Sequence, residues 1–123
     1  MASILIIGED PDSLKLEDLP AGLTPESIRG DLNSARAALE AKGHEAQILW
    51  TTSAERIADE LVDAVRGRRY DVLVIGGGLR MLPPLTQHFE RLMNAIRAHA
   101  PDARLAFNTR PDNTAAAAER QLA

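Results

Sequence analysis

Residues 70–80, with the sequence YDVLVIGGGLR, decide the fold of this chain. Four consecutive apolar residues, Val72–Ile75, run directly into Gly76, Gly77 and Gly78, and a cation, Arg80, follows. A continuous apolar run of this length predicts a strand that is buried on both faces of a sheet. Glycines after such a strand allow close approach of a ligand to the backbone. The segment therefore predicts a central strand of an α/β domain with a binding loop at its C-terminal end.

The length and composition predict a single globular domain over residues 1–123. Apolar residues make up 45% of the chain and charged residues 26%, as is usual for globular domains. The chain contains no cysteine, which excludes disulfides, thiolate catalysis and cysteine-ligated metal centres. The absence of cysteine also favours a cytoplasmic location.

The negative charge of the chain is concentrated in one early segment. The net charge is -4, and residues 9–18 account for it because they hold five acids and one base. A neutral body with an acidic loop argues against binding to nucleic acid, which requires a basic surface. The first apolar run, residues 4–7, is too short for a signal peptide or a membrane span. We therefore expect no nucleic-acid partner and no membrane partner.

Strands and helices are predicted to alternate along the chain. Apolar runs closed by turn residues predict strands at 3–8, 45–50, 71–75 and 103–108, and helical spacing of apolar residues predicts a helix after each strand. Such alternation predicts a parallel sheet covered by helices on both faces, a three-layer α/β/α arrangement. The second and fourth strands carry Gln47 and Arg104, whereas the first and third are wholly apolar in their middles. The first and third strands should therefore be central, which predicts a four-stranded parallel sheet of order 2-1-3-4 with flavodoxin-like winding.

Local signals predict where the helices begin and how the long first connection behaves. Thr24 is the expected N-cap of the first helix, the pair Thr52 and Glu55 forms a capping-box pattern before the second, and Asp112 could cap the last. Residues 9–23 form a long connection that contains four leucines, Leu14, Leu16, Leu19 and Leu23. Those leucines predict that the connection packs onto the protein, as a binding loop or as a surface loop without a further role.

Three loops should converge where the chain leaves the first and third strands in opposite directions. We expect the binding residues to be Glu9, Asp10, Gly76, Gly77, Gly78, Arg80, Asn108, Thr109 and Arg110. The two arginines could bind a carboxylate or a phosphate, and Asn108 and Thr109 could add neutral hydrogen bonds. In the alternative interpretation, the arginines instead pair with Glu9 and Asp10 within the protein. The two open edges of the predicted sheet also make a homodimer plausible.

Several sharper functional patterns do not fit the residues. The turn after the first strand is Gly8-Glu9-Asp10-Pro11, which does not match the G-x-G-x-x-G pattern of dinucleotide-binding proteins, and Met81 occupies the third glycine position after the third strand. No phosphate-binding Gly-Lys-Ser/Thr sequence occurs. The three histidines lack the spacing of metal ligands. The sequence therefore predicts neither a cofactor nor a bound metal.

The layout resembles the receiver domains of bacterial two-component signalling. An acidic pair, Glu9 and Asp10, follows the first strand, and a hydroxyl residue, Thr109, follows the fourth. Receivers carry a phosphoacceptor aspartate at the end of the third strand, where this chain has three glycines, and a fifth strand that has no counterpart here. The resemblance therefore implies a shared architecture without aspartyl phosphorylation. The chain also resembles short bacterial α/β proteins of uncharacterised function.

These observations predict a non-catalytic module that binds a small anionic ligand or a protein partner at the C-terminal rim of the sheet. No nucleophile with a neighbouring base is evident, which disfavours an enzyme. One alternative is a metal-dependent hydrolase or transferase that uses Glu9 or Asp10. Another is an oligomeric protein with a structural or interaction role.

Overall fold

The computed structural model describes residues 1–122, apart from the side chain of Leu16. Within that range it contains four strands, β1 (Ser3–Glu9), β2 (Glu45–Thr51), β3 (Val72–Ile75) and β4 (Arg104–Phe107), and five α-helices, α1 (Pro25–Ala41), α2 (Ile57–Val65), α3 (Gly77–Met81), α4 (Thr86–His99) and α5 (Thr114–Arg120). Short 3₁₀ turns at Pro11–Ser13, Leu16–Asp18, Pro83–Leu85 and Pro111–Asn113 join them.

The four strands form one parallel sheet in the order β2-β1-β3-β4. The predicted order is therefore confirmed, and so is the three-layer α/β fold. Strand β1 is central: Ile6 pairs with Ile48 of β2 on one side and with Val74 of β3 on the other. All four residues of β3 are buried. A central strand has both faces covered by helices and both edges paired, so it is buried throughout. The wholly apolar strands β1 and β3 are suited to that position.

Alternate residues of the central strands enter two separate cores. Leu5 and Ile7 pack with apolar residues of α2 and α4. Ile4 and Ile6 pack on the opposite face with apolar residues of α1 and α5. This two-residue alternation is a property of the extended chain, and it decides which face each side chain at the end of β1 can reach.

Helix α1 begins as its sequence predicts. The Thr24 Oγ1 accepts a hydrogen bond from the backbone N–H of Ser27 at 3.0 Å, and the Ser27 Oγ accepts one from the N–H of Thr24 at 2.8 Å. Pro25 occupies the first helical position, and Gly43 follows the helix with a φ of 91°. A reciprocal cap at one end and a left-handed glycine at the other fix the length of α1.

Two other predicted helix starts are wrong. Helix α2 begins at Ile57, and Thr52 caps no helix: its N–H and hydroxyl both bond to the side chain of Glu60. Helix α5 begins at Thr114, with Asn113 rather than Asp112 at its N-cap. Before α5, Asp112 lies within the 3₁₀ turn Pro111–Asn113. Before α2, Glu55 lies in a turn over residues 54–56, and Thr52 precedes that turn.

The glycine segment after β3 also differs from the predicted open loop. Gly76 is the N-cap of α3, and Gly77 and Gly78 form its first turn. The segment therefore turns into a helix at once, instead of waiting for the helix that follows Pro83 and Pro84. An extra short helix is thus placed at the C-terminal end of the central strands.

Candidate functional site

A cavity of about 140 Å³ lies at the C-terminal end of β1 and β3, where the chain leaves these neighbouring strands in opposite directions. Most of the groups that line it are apolar. The lining residues are Gly8, Glu9, Leu14, Leu19, Pro20, Leu23, Ile28, Leu32, Trp50, Gly76, Gly77, Gly78, Leu79, Met81, Leu82, Asn108, Thr109, Arg110 and Pro111. Seven of the nine predicted binding residues belong to this lining, and Asp10 and Arg80 do not.

The connection between β1 and α1 forms one wall of the cavity. Leu14, Leu19 and Leu23 contribute apolar side chains to it, in agreement with the prediction that this connection packs onto the protein. The connection is fastened to α1 by Arg29, whose Nη2 lies 2.9 Å from the Asp10 carboxylate and 2.6 Å from that of Asp12. Desolvation disfavours the charge on this guanidinium. Hydrogen bonds and Coulombic attraction from the two aspartates outweigh that effect, and the pKa of Arg29 is raised.

Glu9 is a buried carboxylate that joins three parts of the chain. Its Oε1 accepts a hydrogen bond from the Thr51 hydroxyl at 2.6 Å, and its Oε2 accepts one from the Ser13 hydroxyl at 2.8 Å. The Nε2 of His88, on α4, lies 3.5 Å from the same Oε2. Only 3% of the Glu9 side chain is exposed. A charge so buried is stable only when it is well paired, so Glu9 fixes the end of β1 to β2, to the connection and to α4.

The three glycines after β3 contact protein atoms to different degrees. A Cβ placed on Gly76 would lie 3.1 Å from the carbonyl oxygen of Ile7, and one on Gly77 would lie 2.8 Å from the Met81 Cε and 3.3 Å from the Asn108 Oδ1. A Cβ on Gly78 would meet only the side chain of Leu82, at 3.6 Å. Gly76 and Gly77 are therefore packed closely against the protein itself, Gly76 against backbone and Gly77 against Asn108 and the flexible end of Met81.

Asn108 and Thr109 hold the loop after β4 against the glycines. The buried Oδ1 of Asn108 accepts a hydrogen bond from the N–H of Gly77 at 2.6 Å, and its Nδ2 donates to the Thr114 hydroxyl. The Thr109 Oγ1 accepts a hydrogen bond from Asn113, while its own proton has no acceptor among the described residues. Asn108 is therefore structural, whereas the exposed Thr109 hydroxyl can still donate to a ligand.

The two arginines of the predicted site have different surroundings. The Arg80 Nη2 donates to the carbonyl oxygen of Asn108 at 3.0 Å, and its guanidinium lies over the ring of Phe107. Arg110 lines the cavity and contacts Asp112 through Nε at 3.4 Å, with more than half of each side chain exposed. Neither arginine pairs with Glu9 or Asp10 among the described contacts. Those two acids contact Ser13, Thr51, His88 and Arg29 instead.

The chemistry-bearing residues that the sequence did not reveal are Arg29 and His88. Both lie on helices, and the helical spacing that identified the helices says nothing about which loop each side chain meets. The Nδ1 of His88 is buried without a described hydrogen-bond partner. His88 and Glu9 also border a wider and more polar cleft beside the start of α4.

The described residues contain neither a cluster of metal ligands nor a helix that could span a membrane. No group of three or more histidine, aspartate and glutamate side chains in residues 1–122 could hold a metal ion. None of the described helices combines the length and the apolar character that crossing a membrane requires.

Comparisons with known proteins bear on the fold only. No family model matches the chain, and no curated protein matches it. A solved structure of a fragment described as a "putative lipoprotein", from Peptoclostridium difficile 630, is similar, with a TM-score of 0.54 and 12% sequence identity over 92% of this chain and 81% of that one. At this identity the likeness supports the α/β fold and nothing finer. The resemblance to receiver domains stays a prediction.

Proposed function

We propose that this chain is a non-catalytic α/β module that binds a small anionic ligand in the cavity at the crevice between β1 and β3. The observation that carries the proposal is the coincidence of an apolar cavity with the switch point of the sheet, where α/β proteins bind ligands. Arg110 at the exposed side of this cavity supplies a positive charge. We keep the predicted cytoplasmic location as part of the proposal because the chain has no cysteine.

A small molecule fits this cavity better than a protein partner does. About 140 Å³ is enough for a molecule of about the size of benzene, and leucines of the β1–α1 connection line one side of that space. A protein partner would contact only the outer rim. The contact between Arg110 and Asp112 is an exposed ion pair, which costs little to exchange for a ligand.

Nothing in the geometry of the crevice favours the hydrolase or transferase alternative. The single proton of the Ser13 hydroxyl is shared between Glu9 and the carbonyl oxygen of Asp10, and no described contact joins this hydroxyl to His88, so no serine–histidine pair is formed. The carboxylate of Asp10 is paired with Arg29. The alternative stays a prediction, and metal-dependent cleavage of a generic phosphoester that disappears in Asp10→Asn would support it.

Thermal unfolding in the presence of a panel of small anions tests the proposal. The panel contains inorganic phosphate, nucleotides and small carboxylates, and unfolding is followed through the fluorescence of Trp50, the single tryptophan, which lines the cavity. A ligand at 100 times its Kd should raise the free energy of unfolding by roughly 2.7 kcal/mol. Arg110→Ala should reduce that gain. If no anion of the panel raises the melting temperature, the proposal is wrong.

The predicted homodimer is a separate question. Strands β2 and β4 each leave one edge unpaired in the described sheet, and such edges can pair with a second copy. Light scattering over a range of concentrations would test this prediction and the structural or interaction role together, and a concentration-independent monomer would count against both.

A further inference from the structure

We infer that the ligand is a monocarboxylate with an apolar body of about five to six carbon atoms, a size set by comparison with cavities that bind benzene. This inference rests on the proposed function and narrows it from any small anion to one chemical class. It follows from three features of the cavity: its volume, the nature of its walls and the single positive charge at its exposed side.

The volume limits the size of the apolar body. The cavity holds about 140 Å³, close to the roughly 150 Å³ of an engineered apolar cavity in another protein that binds benzene. Gly8 contributes to this space by having no side chain, since a Cβ there would lie 3.1 Å from the Leu32 Cδ1 and 3.5 Å from the Trp50 ring. A longer chain would have to displace Leu32, Trp50 or the β1–α1 connection.

The walls require that the body be apolar. Leu19, Leu23, Ile28 and Trp50 surround the space with hydrocarbon and an aromatic ring. A polar group held there would lose its hydrogen bonds to water without replacement. Each methylene that enters such a site should instead tighten binding by about fourfold, until the space is filled.

The charges around the cavity favour a monoanion over a dianion, because one cation is available and each added negative charge is repelled by Glu9. Arg110 is the one cation among the described lining residues, and its two terminal nitrogens have no described partner. The Thr109 hydroxyl beside it can donate to the second oxygen of a carboxylate. Glu9 also belongs to the lining, and its buried negative charge opposes a dianion such as a phosphate monoester.

A homologous series of ligands tests the inference. Trp50 fluorescence is titrated with acetate, butanoate, hexanoate, octanoate, decanoate, hexanol and inorganic phosphate. Affinity should rise from acetate to hexanoate and then level off or fall, and hexanoate should bind about tenfold more tightly than hexanol, the usual gain from hydrogen bonds to a charged group. Arg110→Ala should remove that tenfold difference and leave hexanol binding unchanged. Arg97→Ala, which removes an exposed arginine of α4, is the matched control and should change nothing.

The outcomes separate this inference from the proposed function. If hexanol binds as tightly as hexanoate, if affinity still rises at decanoate, or if inorganic phosphate binds at least as tightly as hexanoate, the monocarboxylate class is wrong while a ligand cavity remains. If neither these probes nor the wider panel of anions binds at all, the proposed function itself fails. A loss of hexanoate binding in Arg97→Ala would show that general charge, and not Arg110, attracts the carboxylate, and would also overturn the inference.

Discussion

The segments that leave β1 and β3 reach the same crevice and are built in opposite ways. The end of β1 is held by side-chain chemistry, in which Glu9 gathers two hydroxyls and an imidazole over distances of 2.6–3.5 Å. The end of β3 is held by backbone packing, in which Gly76 and Gly77 approach the carbonyl of Ile7 and the side chain of Asn108. The conformation at the end of β1 therefore depends on side-chain contacts, whereas the conformation at the end of β3 depends on the small size of glycine.

This difference changes what the glycines mean for ligand binding. Two of the three pack closely against neighbouring protein atoms, so they indicate a tight junction between strand and helix rather than a cradle for phosphate. The β1 segment and its long connection, together with Trp50 and α1, supply about half of the side chains that line the cavity, and the segments after β3 and β4 supply the others. The glycine-rich sequence therefore lies beside the cavity, while the polar segment after β1 holds the connection that forms one of its walls.

The largest expected effect is the loss of Glu9. Glu9→Ala removes a buried charge and leaves the Thr51 hydroxyl without its acceptor, and it should lower the free energy of unfolding by about 3 kcal/mol. Asp10→Ala, the neighbouring acid in a partly exposed pair, should lower it by less than about 1 kcal/mol. Urea denaturation measures both. Equal effects of the two substitutions would mean that the end of β1 is not held by the Glu9 contacts.

A smaller effect is expected at the end of β3. Gly76→Ala forces a methyl group against the backbone carbonyl of Ile7 and should cost about 2 kcal/mol. Gly78→Ala meets only a side chain at contact distance and should stabilise α3 by about 0.5–1 kcal/mol, because alanine is the better helix former. Denaturation midpoints compare the two directly. If both substitutions are neutral, close packing is not the reason for the glycines.

The smallest effect on stability is expected for Arg29→Ala. Its ion pairs with Asp10 and Asp12 are partly exposed and are screened by solvent, so their loss should shift the denaturation midpoint less than Glu9→Ala or Gly76→Ala does. The same change should loosen the β1–α1 connection, and quenching of Trp50 fluorescence by acrylamide should increase. Arg36→Ala, elsewhere on α1, is the control and should leave quenching unchanged. Unaltered quenching in Arg29→Ala would mean that the connection is held by its leucines alone.

The sequence predicted the strand order and the place of the crevice because both depend on apolar content. The continuous run Val72–Ile75 and the polar residues Gln47 and Arg104 distinguish central strands from edge strands without any tertiary information. The start of α2 was mistaken for a capping box because Thr52 meets Glu60, eight residues away, instead of a neighbour. Short-range spacing cannot anticipate a partner one or two turns further along the helix.

The sequence predicted which segments meet at the cavity but not which side chains contact each other there, because those contacts join residues far apart in the chain. Seven of the nine expected residues line one cavity, since parallel strands bring their carboxyl ends to one rim. The partners of the charged side chains were not foreseeable, because Arg29 and His88 approach Asp10 and Glu9 from helices 19 and 79 residues away in sequence. Sequence alone also could not show that Arg110 lines the cavity while Arg80 does not, because Arg80 is held by the carbonyl oxygen of Asn108 and the ring of Phe107.

A crystal structure of the chain grown with hexanoate tests most directly whether the crevice between β1 and β3 is a ligand site. We expect electron density for the hydrocarbon chain beside Trp50 and Leu23, with the carboxylate within hydrogen-bond distance of Arg110. An empty cavity at a hexanoate concentration that saturates the protein in solution, or hexanoate bound in the cleft beside His88, would contradict this expectation.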